Sequence, residues 1–383
     1  MKPALSLALL YGGIFGVLGI QLPFWPVYLQ GKGLSDVAIG WLLAAPYLVK
    51  IISNPLAGHW VDARGDRKLP LQTLAALALV ATFFFLFSND FLPLLILSLL
   101  AGGASAALIP MGDNLTLTAS RKLSLDYGRV RLWGSISFIF TSFLLGELLT
   151  VAPPAAILWT TLCGMALCLL VTVKWLPDLP PAHAEEESGD LRTLLKGANF
   201  PIFIAAASLI QLSHVIYYGF ATLHWRGAGL SNGLIGLLWA EGVIVEVMLF
   251  AAGSWVLRFV TPQQLLFSAG AAGVLRWTIL AFTTNPWMLA LFQGLHALTY
   301  AACHLGAMQF IHRQVPPSSS ARAQGVYTAV TSGVVPGLAM LGSGALYQSL
   351  GGLAFLPMAL AAALSLPLIW RLQIREKIPT ANY

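Results

Sequence analysis

Charge is what this chain has least of. Asp, Glu, Lys and Arg make up 9% of its 383 residues, against 57% hydrophobic residues. A water-soluble fold of this size would have too little polar surface to cover itself, so the composition excludes a soluble globular protein and indicates a membrane protein. Cysteine is scarce too: Cys163, Cys168 and Cys303 lie inside apolar runs, with no CxxC spacing and no His cluster, which leaves neither a disulfide framework nor a zinc site. The phosphate loop GxxxxGK[ST], the zinc helix HExxH and the nucleophile elbow GxSxG are all absent, so ATP hydrolysis and the common hydrolase chemistries have no support. Neither an enzymatic activity nor a cofactor is expected. The first apolar run, Ala4 to Tyr28, is too long for a signal peptide and lacks a small-residue cleavage site, so it reads as a membrane span.

What is abundant is apolar sequence, cut into lengths. At about 20 residues per bilayer crossing, charges, Gly and Pro divide the chain into twelve runs, at 4–29, 37–61, 69–87, 91–119, 130–149, 155–175, 200–225, 233–257, 265–282, 286–311, 324–349 and 353–371. The one clearly polar stretch, "PDLPPAHAEEESGDLRTLLKGAN" (177–199), follows the sixth run and reads as a linker between two halves, 1–176 and 200–383. Of the 21 Lys and Arg residues, 17 fall in the termini and the even-numbered loops; only Lys32 and Arg226 fall in the opposite loops. The positive-inside rule therefore places both termini and the linker in the cytoplasm, and it accounts for the net charge of +6 without a nucleic-acid partner. Lys50 and Arg276 belong to no loop. They sit inside spans.

The two halves share a repeat. "GLSDVAIGWLLAAPYLVK" (33–50) aligns without gaps on "GLSNGLIGLLWAEGVIVE" (229–246), with eight of eighteen positions identical. Parallel six-span repeats with a substrate site near the midplane are the plan of major facilitator transporters. The fold expected is thus an all-α membrane protein of twelve transmembrane helices in two pseudo-symmetric six-helix bundles. The alignment ends on Lys50 in span 2 opposite Glu246 in span 8, two charges of opposite sign at matching depth. An intramembrane charge costs at least about 2.5 kcal/mol, so both are candidates for function.

The stretch "GHWVDARGDRK" (58–68) closes span 2 and fits the cytoplasmic loop signature of these transporters through Gly58, Asp62, Gly65, Arg67 and Lys68. Its logic is a small residue for close helix approach, an acid near a helix end, and a Gly turn followed by cations, so Asp62 reads as a conformational latch rather than a substrate ligand. Asp66 stands where the family usually has a cation.

Further stretches make the chain similar, almost end to end, to the 3-phenylpropionate permease group of the major facilitators, related to lactose permease and other proton symporters. They are "LPFWPVYLQGKGLS" (22–35), "DYGRVRLWGS" (126–135), "SHVIYYGF" (213–220), "EVMLF" (246–250), "VLRW" (274–277) and "LHALTYAACHLGAM" (295–308). The resemblance to lactose permease implies sugar-contact positions at Asp113 and Arg131, eighteen residues apart. It implies proton-coupling positions at Arg276 and His296, and a span 8 glutamate at Glu241. Gln293 and Thr299 depart from it, standing where that permease has a lysine and its proton-carrying glutamate, so its relay is not copied intact.

The function these observations imply is a proton-coupled symporter that imports a small aromatic carboxylate such as 3-phenylpropionate or cinnamate through a bacterial inner membrane, with a monomer as the expected state. Lys50 or Arg276 would attract the carboxylate. Trp25, Tyr28, Tyr217 and Tyr218, on spans 1 and 7, would hold the ring, with His214 beside them. Glu246, Glu241, Asp113 or His296 would carry the proton. In the empty site Lys50 is expected to pair with Glu246, and protonation of Glu246 would release it. A sugar or nucleoside symporter and a proton-driven exporter are the alternative readings in the same class; a sensor on a transporter fold would need a further soluble domain.

Overall fold

In lipid no water satisfies a backbone N–H or C=O, so a chain this apolar has to close its hydrogen bonds within helices. The structure, a computed structural model, describes residues 2–176 and 199–377, with the backbone alone at Asp62, Pro317 and 375–377. The expected linker thus lies outside the described residues, save Asn199. Among the described residues there is no strand, and twelve helical runs fall on the twelve expected spans. The first six are α1 (Pro3–Gly31), α2 (Asp36–Arg64), α3 (Lys68–Phe83, ending in the 3-10 turn Phe84–Phe87), α4 (Phe91–Ala106 and Leu108–Leu123), α5 (Tyr127–Leu148) and α6 (Ala155–Lys174). The second six begin with α7 (Asn199–Leu212 and Val215–Gly227), α8 (Asn232–Ala251) and α9 (Pro262–Phe282). Then come α10 (Pro286–Gln293, a π-helical stretch Ala297–Ala302, and Cys303–Gln314), α11 (Pro317–Ala329, a π-helical stretch Val330–Val334, and Val335–Leu350) and α12 (Phe355–Lys377). Large apolar side chains point outward, Trp287 at 84% and Phe87 at 69% exposure among them, as a surface bathed in hydrocarbon requires.

The repeat seen in the sequence is a repeat in conformation. Gly33 and Gly229 both take positive φ, 81° and 90°, a region in which a Cβ is penalised. Two residues on, Ser35 and Ser231 each accept a hydrogen bond from the backbone N–H three positions later, Ala38 and Leu234. A helix then starts, and Lys50 and Glu246 fall at the same distance along α2 and α8.

Contacts gather the helices into two units: α1 to α6 with Tyr218–Ala240 and Met340–Ala345, and the rest of the second half. Without a hydrophobic effect between helices in lipid, close packing of small residues holds such units together. In the first, a Cβ on Gly19 of α1 would run into Thr141 and the backbone of Phe138 on α5. Along the same seam Ser137 and Thr141 donate to the carbonyls of Gly12 and Gly16. In the second unit, Gly270 and Gly273 of α9 meet Ser365 and Ala362 of α12. Phe203 there stacks on Phe310 at 4.3 Å between ring centroids.

The loop signature takes definite form. Gly65, at φ 67°, caps α2, its N–H donating to the carbonyl of Val61. Asp66 accepts from the N–H groups of Lys68 and Leu69 and so caps α3, which explains an acid where a cation is usual. Arg67 donates through Nε to Asn114 Oδ1 at 2.6 Å. Among the described residues, a Cβ on Gly58 would meet nothing within 4 Å. The Asp62 side chain lies outside the described residues.

Candidate functional site

Each unit carries a polar cluster that includes a cation. In the first unit the centre is Asp113 on α4. Its Oδ1 accepts from the Tyr11 hydroxyl of α1 at 2.6 Å and from the Tyr127 hydroxyl at 3.0 Å, with Arg131 Nε of α5 at 3.5 Å. The Arg131 guanidinium lies over the Phe15 ring, 3.9 Å from its centroid, and 5.1 Å from that of Tyr11. Asp113 and Arg131, paired in the sequence through the resemblance to lactose permease, are therefore brought together, with side chains 30% and 28% exposed. Tyr11, Phe15 and Tyr127 escaped the sequence reading; they carry only the weak signal of aromatics on spans 1 and 5.

Lys50 is in the same unit. Pro46 and Val49 of α2 abut Gly102 and Gly103 of α4, and Ser53 extends that stripe. Tyr47, Lys50 and Asn54 follow at the same helical spacing, i, i+3 and i+7, one residue further round. The Lys50 ammonium sits over the Tyr47 ring, 4.7 Å from its centroid. The expected ring-binding residues of α1 lie elsewhere. The Tyr28 hydroxyl donates to the carbonyl of Phe85, and Trp25 packs on Tyr28 and Phe85, all within two turns of the α1 terminus at Gly31. Tyr218 stacks at 6.3 Å on Trp239, whose indole donates to Thr222.

The second unit holds the denser cluster, and its centre is Arg276 of α9, fully buried. Its guanidinium donates to His296 Nδ1 at 3.0 Å, to Thr299 Oγ1 at 3.1 Å and to Gln293 Oε1 at 2.6 Å, all on α10. It lies 4.6 Å from the ring centroid of Tyr217 and 4.5 Å from that of Trp277. Gln293 donates to the Tyr217 hydroxyl at 2.8 Å, and Trp277 donates to Ser213. The two positions that depart from lactose permease, Gln293 and Thr299, are thus the acceptors that hold the arginine.

These contacts assign the protons. A guanidinium only donates, so His296 Nδ1 is an acceptor and the ring's proton is on Nε2. That nitrogen lies 3.7 Å from Glu246 Oε2 of α8. The carbonyl of Ile210 only accepts, so His214 carries its proton on Nδ1, 3.0 Å away. Its Nε2 lies 3.2 Å from the Thr299 hydroxyl oxygen. His296 is therefore neutral in this arrangement, and Glu246 is the carboxylate that faces it, its side chain 21% exposed. Gly242, one turn before Glu246, allows the approach: a Cβ there would stand 3.4 Å from His296 Cδ2. Glu241 lies on the same helix.

Thr299 serves both neighbours with one hydroxyl, and it does so from within the π-helical stretch of α10, the kind of local widening that re-aims side chains at functional sites. Thr299→Val keeps the shape and removes both bonds. It is expected to destabilise the protein by about 1–3 kcal/mol, the cost of leaving buried polar groups unsatisfied, read as a lowered Tm of the purified protein.

Comparison with known proteins bears on what such clusters serve. A family model described as "MFS_1 like family" matches residues 4–356. The chain is 35% identical over 360 residues to the "Probable 3-phenylpropionic acid transporter" of Escherichia coli (strain K12), covering 93% of this chain and 94% of that one. It is 28% identical to the maltose permease of Geobacillus stearothermophilus, over 85% and 83% of the two chains. Its fold superimposes on the crystal structure of a D323A mutant of the nucleoside transporter NupG with a TM-score of 0.87 at 17% identity, over 98% of this chain and all of that one.

Proposed function

This chain belongs to the major facilitator superfamily, and from that premise we propose that it is a proton-coupled symporter taking up a small aromatic carboxylate, of the 3-phenylpropionate or cinnamate type, by alternating access. It is a multi-pass membrane transporter, not an enzyme. Under the proposal it lies in a bacterial inner membrane with both termini cytoplasmic. The monomer is the working unit, and the six-helix bundles 1–176 and 200–383 move against each other.

The observation that carries the substrate class is Lys50. It is an ammonium fifteen residues into a membrane helix, and among the described residues of its own unit no carboxylate lies within 4.0 Å of it. A charge so placed is costly unless an anion answers it at some stage of the cycle. A substrate carboxylate is such an anion, and the relative named for 3-phenylpropionic acid supplies the apolar ring that suits the rest of the chain. A monoanion entering a negative interior loses about 2.3 kcal/mol per 100 mV, and one co-transported proton cancels its charge.

Glu246 is assigned the proton. The neutral, oriented His296 beside it donates to the carboxylate form; when the carboxyl is protonated that contact weakens, and α8 is released from α10. The sequence expectation that Glu246 pairs with Lys50 is replaced in this reading by the His296 pair. Arg276, His214 and Tyr217 hold the imidazole rather than the substrate.

The half-exposed Asp113–Arg131 pair, flanked by aromatic rings, supports the second reading, a sugar or nucleoside symporter. Uptake of labelled 3-phenylpropionate into proteoliposomes tests the first: accumulation above equilibration is expected only under an imposed inward proton gradient. Equal, flat uptake with and without the gradient would overturn it, and competition by a panel of sugars and nucleosides would identify the second.

A further inference from the structure

One turn along α2 from Lys50 is Asn54, and its Oδ1 is hidden from solvent without a hydrogen-bond partner among the described residues. Inside a bilayer an unsatisfied amide oxygen is expensive, since no water reaches it, and buried polar groups are nearly always paired. The two side chains are at i and i+4, so they share a helix face. The ammonium is now held by the Tyr47 ring, on the other side of Lys50 along the same face. A lysine stem spans a helical turn in either direction. Lys50 thus has two seats on that face, an aromatic ring that it occupies and an amide oxygen that lacks a donor among the described residues.

We propose that Asn54 is a positioning residue for Lys50: its amide oxygen receives the ammonium when a substrate carboxylate binds, holding the charge between amide and carboxylate. The inference rests on the reading of Lys50 as the anion site. In the empty state the ammonium lies on Tyr47, where a cation–π contact partly offsets its desolvation. When a carboxylate arrives, the ammonium has three donors to distribute, and Asn54 Oδ1 takes one in a fixed direction. The substrate's acid group is then met by an oriented charge rather than by a swinging one.

Binding of two ligands to the purified full-length protein, 3-phenylpropionate and the uncharged 3-phenylpropanol, separates the outcomes. Asn54→Leu is expected to weaken binding of the acid about tenfold, the loss of one charge-assisted hydrogen bond, and to leave the alcohol unchanged. Asn54→Asp is expected to weaken the acid further, because a built-in carboxylate then neutralises Lys50, again without effect on the alcohol. A structural role for Asn54 would move both ligands together, and that result overturns the proposal, as does wild-type affinity for the acid in both variants. Lys50→Ala distinguishes the premise: if it binds the acid as well as the wild type does, the anion-site reading fails and this inference with it. If Lys50→Ala loses the acid while both Asn54 variants keep it, the inference alone fails.

Discussion

Glu246→Gln is expected to reduce gradient-driven accumulation of substrate to simple equilibration, a loss of about a hundredfold, while exchange of labelled for unlabelled substrate continues. The substitution keeps the size of the side chain and its ability to accept from His296 Nε2–H, 3.7 Å away in the native protein. What it removes is the proposed proton site. The neighbouring His296 is held neutral by the Arg276 guanidinium at Nδ1, so it does not stand ready to take over the proton. Exchange needs the carrier to reorient with substrate bound and no net proton release, and glutamine, uncharged like the protonated acid, permits that. Proteoliposome uptake with and without a gradient, beside counterflow in the same vesicles, measures both. Retained accumulation would remove Glu246 from the coupling.

Lys50→Ala is expected to lower the affinity for the carboxylate substrate by about a hundredfold or more, while an uncharged analogue of the same ring loses little. Two unit charges about 4 Å apart attract by roughly 4 kcal/mol at the effective dielectric of a partly buried site, so about two thirds of that interaction yields an effect of this order. Among the described residues of its unit the cation lies over the Tyr47 ring, which forms no ion pair. Removing it also relieves an intramembrane charge, so the variant protein is expected to be at least as stable as the wild type, and lost binding then reports on recognition and not on folding. Parallel titrations with the acid and its alcohol, together with the Tm, provide the check.

The two polar clusters differ in how much of them was legible in the chain. Asp113 and Arg131 were paired through a resemblance in spacing, and the structure joins them. Around Arg276 the sequence reading found the arginine and His296 but met Gln293 and Thr299 only as departures from a pattern. Their role as acceptors for the guanidinium depends on the register of α10. A π-helical stretch at Ala297–Ala302 shifts that register, and a widened turn leaves no trace in the spacing of apolar residues. Trp25 and Tyr28 show the reverse case. Their residue type and helix suited a ring site, yet at the end of α1 they pack against Phe85 of the α3 turn.

By itself the sequence determined the membrane class, the twelve helices and the repeat that places Lys50 and Glu246 at the same distance along their helices. Each of these follows from local rules: the length of an apolar run, a Gly that takes positive φ, a Ser that caps the next helix. Only the tertiary structure decided partners. It put Glu246 beside His296, fixed the tautomer of His296 through one arginine, and left Lys50 on a tyrosine ring next to an amide oxygen with no partner among the described residues. A helix that is apolar on nearly every side carries little record of which face meets which neighbour. In lipid that choice is made by the packing of small residues and by a few polar contacts between helices far apart in the chain.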